Sequence, residues 1–343
     1  MKEAIITVSS YTPSLYAERY VKHLSGSELD EALQNGYFPT GVKLSTAIAA
    51  RYDASYNISA RLYLRAPISP PIFSKSKRKL LRKNSKLFQY EVRDFYCDEE
   101  INRLWKQFKS NAHNWQYIPN LDEHIFKGES ADNFPSKLLL LRNEGQLVAF
   151  TVMFEGHKSL ASLEAAYDLN YSKYSPGIYT MLLELKYAQS QKKDFYYPGF
   201  IYKDVPMFQY KRRLGGLQFF QLKTRQWRSF EDLKPDDWVY ETMNSKIIHA
   251  DTRMSNSVSN LNVLALVTFF PPHSDEAKYG LKGFVPGLLV QKSSTQTYLY
   301  YHPLNEEYII ISKESAQHYE DNPKPAKIIR TKSTEEALNA LDT

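Results

Sequence analysis

The chain of 343 residues contains a single cysteine, Cys97. That excludes an internal disulfide and any three- or four-cysteine zinc or iron–sulfur site built from this chain alone. Nothing argues for an oxidising compartment. No apolar run approaches the roughly 20 residues that span a bilayer; the longest, Val263 to Phe270, has eight and is interrupted by Thr268. Met1 to Thr12 lacks the apolar stretch of a secretory signal, so the cytoplasm is the expected location and no membrane partner is expected. Net charge is weak: 44 Lys plus Arg against 38 Asp plus Glu leave +6, too little to identify a partner until its position is known. Glycine is sparse at 13 residues, and no dinucleotide fingerprint, phosphate-binding P-loop or nucleophile elbow occurs. The eight histidines are scattered with no pair at metal-ligand spacing, so no metal and no cofactor is expected. Asp98 and Glu99 beside Cys97 would raise its thiol pKa and leave it inert.

What is abundant is aromatic: 26 Tyr and 18 Phe. Tyrosine buries a ring and offers a hydroxyl, which suits clefts as well as cores. The pattern predicts an α/β (α+β) chain with an N-terminal domain over residues 1–86, a core over 87–225 and a β-rich extension over 226–343. Ser27 is a candidate N-cap for a helix beginning at Glu28, and a turn-rich connector follows at Gly36-Tyr37-Phe38-Pro39-Thr40-Gly41. Residues 57–66 alternate as a strand, with Ile58, Ala60, Leu62 and Leu64 on one face. Phe88 to Phe95 reads as a strand. Asp98 caps a helix with Ile101, Leu104, Trp105 and Phe108 on one side. Lys137 to Phe154 forms a hairpin turned at Asn143-Glu144-Gly145, and Leu160 to Tyr167 is a further strand. Ser175-Pro176-Gly177 opens a helix, and Lys193 to Ile201 is an aromatic strand. In the extension, strands are expected at Leu261–Phe270, Gly287–Lys292, Thr297–Tyr301 and Tyr308–Ser312, with a capped helix at Ser333–Leu341.

The charge has one concentrated address. Seven of the twelve residues from Lys75 to Lys86 are Lys or Arg and none is acidic. With Ser74 or Ser76 as cap and Leu80, Leu81 and Leu87 facing the body, Lys75, Arg78, Lys79, Arg82 and Lys86 share one helical face. Such a face is either simply solvated or a contact for phosphates, and in the second case binding falls steeply with salt. Two other stretches can carry chemistry. Tyr167-Asp168 followed by Ser175-Pro176-Gly177-Ile178-Tyr179 places free N–H groups at a helix start; it is either an acyl-donor loop or an ordinary strand-to-helix turn. With one glycine between Lys173 and Ile178, the loop supports coenzyme A pyrophosphate poorly. Pro198-Gly199 inside the aromatic strand points to a bulge or a close backbone approach, as at a ligand cleft.

The order of helix, hairpin, strand, glycine-bearing loop, helix and strand resembles GNAT-type acyltransferases, which implies a GNAT-like core. Tyr196-Tyr197-Pro198-Gly199-Phe200, then Pro206, then Tyr210-Lys211 resemble the C-terminal signature of the aminoacyl-tRNA–protein transferases, the arginyl and leucyl transferases that modify protein N-termini. Tyr167-Asp168 and Ser175-x-Gly177-x-Tyr179 are similar to further elements of that family in the same order. Upstream, Ser59-Ala60-Arg61-Leu62 and the run from Ser76 to Asn84 resemble its basic segment, and Gly36-Tyr37 its early turn. The resemblance spans residues 28–215. Departures are specific: Tyr52 and Tyr56 lie where the family has an early cysteine cluster, Met207-Phe208 replaces a Lys-Met pair, Pro176 replaces Leu, and residues 216–343 have no counterpart.

The resemblance implies transfer of arginine or leucine from aminoacyl-tRNA to the α-amino group of a protein or peptide N-terminus. An α-amino group with a pKa near ~7.7–8.0 is already partly neutral, so the enzyme must position substrates, stabilise an oxyanion and protonate the leaving ribose oxygen. Tyr197, Tyr210, Lys211 and Asp168 are the catalytic candidates, Asp168 for the incoming ammonium. Arg61, Arg78, Lys79, Arg82, Ser175, Gly177 and Gly199 are candidates for binding tRNA and substrate. The alternatives are a coenzyme A-dependent N-acetyltransferase and a catalytically inactive protein that binds tRNA or N-termini, which the cation missing at Met207 would suit.

Overall fold

A computed structural model describes residues 15–51, 58–68, 73–113, 117–256, 261–269, 285–292, 295–312 and 328–342. The chain begins with β1 (Tyr16–Tyr20) and α1 (Gly26–Gln34). Ser25, not Ser27, caps α1: its hydroxyl accepts from the Glu28 amide while Glu28 reaches back to the Ser25 N–H, a reciprocal capping box. β2 (Phe38–Pro39) and β3 (Lys43–Ala47) complete a small antiparallel sheet with β1. β4 (Ala49–Arg51) and β5 (Ile58–Pro67) enter the main sheet. Tyr52 and Tyr56 lie outside the described residues.

Next come α2 (Lys75–Asn84), β6 (Gln89–Asp94), α3 (Glu99–His113) and α4 (Leu121–Phe126). The Asp98 carboxylate accepts from the Ile101 amide at the start of α3, as its sequence predicts. β7 (Ser136–Asn143) and β8 (Gln146–Glu155) form the expected hairpin. Its two turn residues, Glu144 and Gly145, have φ of 49° and 83°, the left-handed pair that matches strand twist in a tight hairpin. β9 (Ser159–Tyr167), α5 (Pro176–Ser190) and β10 (Phe195–Tyr202) follow as a strand–helix–strand crossover. Then come α6 (Pro206–Gln209), β11 (Gln218–Gln221) and β12 (Gln226–Ser229).

These strands make one sheet in the order β12-β11-β5-β10-β9-β8-β7-β6, with β4 on β5. Among its pairs only β9–β10 is parallel. One face packs Leu62, Leu64, Leu139, Leu141 and Leu160 against Ile178, Leu182 and Leu185 of α5, with Leu80 and Leu81 of α2 at its margin. The other packs Leu138, Leu140, Phe150 and Val152 against Leu29 and Leu33 of α1 and Ile101, Leu104 and Trp105 of α3. Both faces being covered explains why Leu147 to Phe154 of β8 read as an apolar run broken only by the buried Thr151 and not as an alternation.

The extension consists of α7 (Val239–Asn256), β13 (Leu261–Phe269), β14 (Val285–Lys292), β15 (Thr295–His302), β16 (Glu307–Ser312), β17 (Ile328–Thr331) and α8 (Thr334–Asp342). Its five strands form an antiparallel sheet in sequence order. Met243, Ile247, Ala250 and Met254 of α7 are buried in the same core as Leu288 and Leu299 of β14 and β15. α7 is the largest element the sequence does not announce. Met243, Ile247, Ala250 and Met254 keep a helical i, i+4, i+7, i+11 spacing, but Lys246, His249, Asp251 and Arg253 dilute the signal around them, and the helix is stabilised by packing of that one stripe. Together the elements make a mixed α/β fold with a C-terminal β-sheet extension. Among the described residues no helix is long and apolar enough to cross a membrane.

Candidate active site

The parallel pair at the centre of the sheet parts after three residue pairs, and the opening beyond it is the candidate cleft. β9 and β10 pair only where Phe195, Tyr196 and Tyr197 lie beside Ser159, Leu160 and Ala161. Beyond that point the register of β10 against β5 shifts between Tyr196 and Gly199, so Tyr197-Pro198 form the bulge that Pro-Gly in a strand foretells. Gly199 has φ +91°, and a Cβ there would lie 3.2 Å from Lys211 Nζ and 3.7 Å from the Phe38 ring. The positive φ is what requires glycine there, and a Cβ would in addition press on the Lys211 ammonium. The C-terminal ends of parallel strands, with the following helix N-terminus, are where open α/β sheets take ligands.

Lys211 reaches into this cleft from the 3₁₀ turn Tyr210–Leu214. Its Nζ donates to the Phe200 carbonyl at 3.0 Å and lies 5.3 Å from the Phe200 ring centre and 5.7 Å from that of Phe208. Burial pushes the ammonium down to about 8, against the pull of Glu184 and Glu164 in the opposite direction. Glu184, on α5, is fully buried. Ser162 Oγ donates to its Oε1 at 3.2 Å, and Tyr196 OH donates to Oε2. Burial raises the Glu184 carboxyl, with these hydrogen bonds and Lys211 opposing the rise. Burial and the nearby Glu184 also hold the Tyr210 phenol above its ordinary range. The Tyr210 ring comes within 3.8 Å of the place a Cβ on Gly177 would occupy.

A second charged group sits on the opposite face of β9. Glu164 meets Lys109 Nζ at 3.2 Å and His124 Nε2 at 3.3 Å. Burial alone would raise the Glu164 carboxyl, yet Lys109 and His124 outweigh it and bring the pKa to about 2. Lys109 also lies 4.4 Å from the Trp105 ring centre.

The sequence-derived candidates divide. Tyr210, Lys211, Gly177 and Gly199 come together at the cleft. Ser175 precedes α5 with φ 54° and makes no side-chain cap bond; a non-glycine residue held left-handed at a helix entrance is strained backbone. Arg61 stands nearby: its guanidinium is 4.8 Å from the Phe200 ring centre and donates to Tyr63 OH at 2.7 Å. Asp168 is engaged locally, its carboxylate accepting from the Asn170 amide at 2.9 Å. Tyr197 points to the other face of the sheet from Tyr196. It packs edge-on to Trp227, with its ring centre 5.4 Å away, and hydrogen-bonds Arg65. Because strand neighbours alternate faces, Tyr196 and not Tyr197 joins the Lys211–Glu184 cluster.

Arg78, Lys79 and Arg82 are exposed on α2, and Lys77 Nζ is 3.6 Å from a Cβ position on Gly215, at the end of the turn bearing Lys211. Leu87 is 41% exposed, not a body contact, because α2 stops at Asn84 and Phe88 takes the buried place. Cys97 is half-buried and its thiol is pushed up to about 12, by burial first and then by Asp122 and Asp98.

Residues 86–221 match the family described as arginine-tRNA-protein transferase, C terminus. Through this region the chain is similar to the aminoacyl-tRNA–protein transferases. It is similar to an aspartate/glutamate leucyltransferase of Leptospira interrogans, 24% identical over 156 residues, covering 44% of this chain and 60% of that protein. It is likewise similar to the aspartate/glutamate leucyltransferase of Vibrio cholerae, 29% identical over 167 residues, covering 48% of this chain and 70% of that protein. Among solved structures FemX overlays 60% of this chain and 69% of its own, at TM-score 0.39 and 10% identity. The match to the transferase family includes the cleft from Ser162 to Lys211 and extends through β11. Glu184, Tyr196, Ser162, Glu164, Lys109 and His124 are cleft or near-cleft residues that sequence reasoning missed. Glu184 had a visible signal: it is a lone acid in the apolar run Met181-Leu182-Leu183-Glu184-Leu185. A buried charge of that kind demands partners.

Proposed function

We propose that this protein is an aminoacyltransferase that moves arginine or leucine from a charged tRNA to the α-amino group of a protein or peptide N-terminus. The observation that carries the reading is the convergence of Lys211, Tyr210 and Gly199 at the open end of the β9–β10 pair, within the region shared with the family. The short parallel pairing that then diverges supports a GNAT-like core for the cleft.

The reaction needs little covalent help from the protein. The neutral α-amine forms a bond to the ester carbonyl carbon, giving a tetrahedral oxyanion, and the bond to the ribose oxygen then breaks. The amine nitrogen loses one proton and the ribose oxygen gains one. Lys211, charged below about pH 8, gives a proton to the leaving oxygen and takes up the one released by the amine, so charge balances. Its bond to the Phe200 carbonyl fixes the ammonium and leaves two N–H groups directed elsewhere. Tyr210, held protonated by burial and by Glu184, serves as a hydrogen-bond donor to the oxyanion.

The exposed cations of α2 fit tRNA phosphates. Four such contacts would reduce affinity about 100-fold between 50 and 200 mM salt. Donor choice and reaction class are tested together by incubating the protein with charged tRNAs and peptides beginning Asp, Glu, Lys or Arg, and reading peptide mass. A gain of one arginyl or leucyl residue is expected. A peptide that stays unmodified with every charged tRNA overturns the reading, and acetylation by acetyl coenzyme A would assign the cleft to an acetyltransferase instead.

A further inference from the structure

α2 meets the body of the protein through one narrow stripe. Lys77, Leu80, Leu81 and Asn84, spaced i, i+3, i+4 and i+7, are its only residues that are not exposed. The two ends of the stripe touch the two sides of the cleft. Lys77 approaches Gly215, at the end of the turn that bears Tyr210 and Lys211. Asn84, at zero exposure, donates from Nδ2 to the Tyr174 carbonyl at 2.8 Å. That carbonyl can only accept, so the amide is fixed with Oδ1 turned away, where it is buried without a partner. An apolar side chain would pack there without leaving an orphaned oxygen; what it could not supply is the bond to Tyr174. Tyr174 directly precedes Ser175, which is held at φ 54° and ψ 54° with no side-chain cap bond. The Ser175 carbonyl accepts the first bond of α5, from the Tyr179 amide at 3.0 Å, and Gly177 in that turn lies against the Tyr210 ring. We propose that Asn84 is a positioning residue that fastens the entrance of α5 to α2, holding Ser175 left-handed and Gly177 against Tyr210, and that tRNA phosphates bound on the outer face of α2 tighten this entrance.

The tightening follows from how weakly α2 is held. It has ten residues, its N-cap Ser74 makes no side-chain cap bond, and no acidic residue lies in its first turn. A helix this short is marginal without packing, and its packing is two half-buried leucines. On the outer face Lys75, Arg78, Lys79, Arg82 and Lys83 stand three and four positions apart, so like charges repel along the helix. Asn84 is in the last turn, where such a helix frays first. Phosphates laid along the outer face neutralise the repulsion and keep that turn formed, and with it the bond to Tyr174. The Phe88 ring, edge-on to Tyr174 with centres 5.5 Å apart, packs beside the same joint.

The use of this joint in transfer rests on the transferase reading, whereas the joint itself is measured without turnover, by hydrogen exchange at the Tyr179 amide of the full-length protein. Asn84→Ala should speed that exchange about fivefold, the worth of one net hydrogen bond. Adding Ser175→Gly to Asn84→Ala should slow it again, because glycine takes a φ of 54° without being tied there. Deacylated tRNA at low salt should slow exchange along α2 and at Tyr179 in the wild type, and along α2 alone in Asn84→Ala. In peptide transfer Asn84→Ala should lower kcat about tenfold while tRNA affinity and its salt slope stay in place. If Asn84→Ala does not fold, changing Arg78, Lys79 and Arg82 together to Gln relieves the repulsion and should slow Tyr179 exchange with no tRNA present. Tyr179 exchange unmoved by these changes, no rescue by Ser175→Gly, or tRNA that leaves Tyr179 unprotected in the wild type overturns the proposal. Exchange that behaves as expected in a protein that transfers nothing from any charged tRNA upholds the joint and removes the transferase reading instead.

Discussion

Replacing Glu164 with Gln isolates an electrostatic contribution that depends on pH in a way packing does not. The carboxyl is held at about 2, against an ordinary 4.5, by Lys109 and His124, which overcome the cost of burial. At about 1.4 kcal/mol per pH unit that depression corresponds to about 3 kcal/mol, and to about 2 kcal/mol once screening at a side chain 28% exposed is allowed for. The folded-state pKa lies below the unfolded one. The contribution is therefore complete above about pH 4.5 and is lost as pH falls toward 2. The variant also leaves Lys109, which is only 7% exposed, without its carboxylate, a cost that does not vary over this acid range. Urea unfolding of wild type and Glu164→Gln at pH 7 and pH 3 separates the two. The gap in unfolding free energy should shrink by roughly half of the 2 kcal/mol at pH 3. A gap equal at both pH values would refute the argument, because Glu164 would then matter through shape alone.

Three further outcomes follow from the same geometry. Gly199→Ala places a side chain at φ +91° and 3.2 Å from Lys211 Nζ. It should cost about 1–2 kcal/mol of stability and reduce transfer at least about tenfold by displacing the ammonium, measured by thermal melts and initial rates. Changing Arg78, Lys79 and Arg82 together to Gln should lower the slope of log affinity for tRNA against log salt by about 2–3, as read by filter binding, while rates at saturating tRNA stay near wild type. Arg65→Met removes a guanidinium that donates to Gln34 and Gln218 and lies 4.0 Å from the Phe195 ring centre and 4.7 Å from that of Trp227. Denaturant melts should show a loss of about 2–3 kcal/mol.

The strands and helices around the cleft were legible because their signals are local. The Glu144-Gly145 turn, the Asp98 cap and the apolar spacing of α3 each depend on neighbours within a turn or two. Pro198-Gly199 likewise announced the bulge. The partition of the tyrosines was not legible. Tyr196 and Tyr197 differ by one position, and only the register against Ala66 and Leu64 decides which of them faces Glu184. The Lys109–Glu164–His124 group joins residues 55 and 40 positions apart, a separation at which sequence spacing carries no signal. α7 escaped for a related reason, since the polar residues around Met243, Ile247, Ala250 and Met254 dilute that stripe until β14 and β15 are present to cover it.

Lys211 bears the central claim, and one single-turnover experiment addresses it most directly. Radiolabelled arginyl- or leucyl-tRNA is bound to wild-type protein and to Lys211→Met, a peptide with a free N-terminus is added, and label in the peptide is followed against label remaining on tRNA. The account predicts transfer by the wild type and, in the variant, a loss of about 10²-fold or more in rate with tRNA binding retained. Equal rates in the two proteins would contradict it.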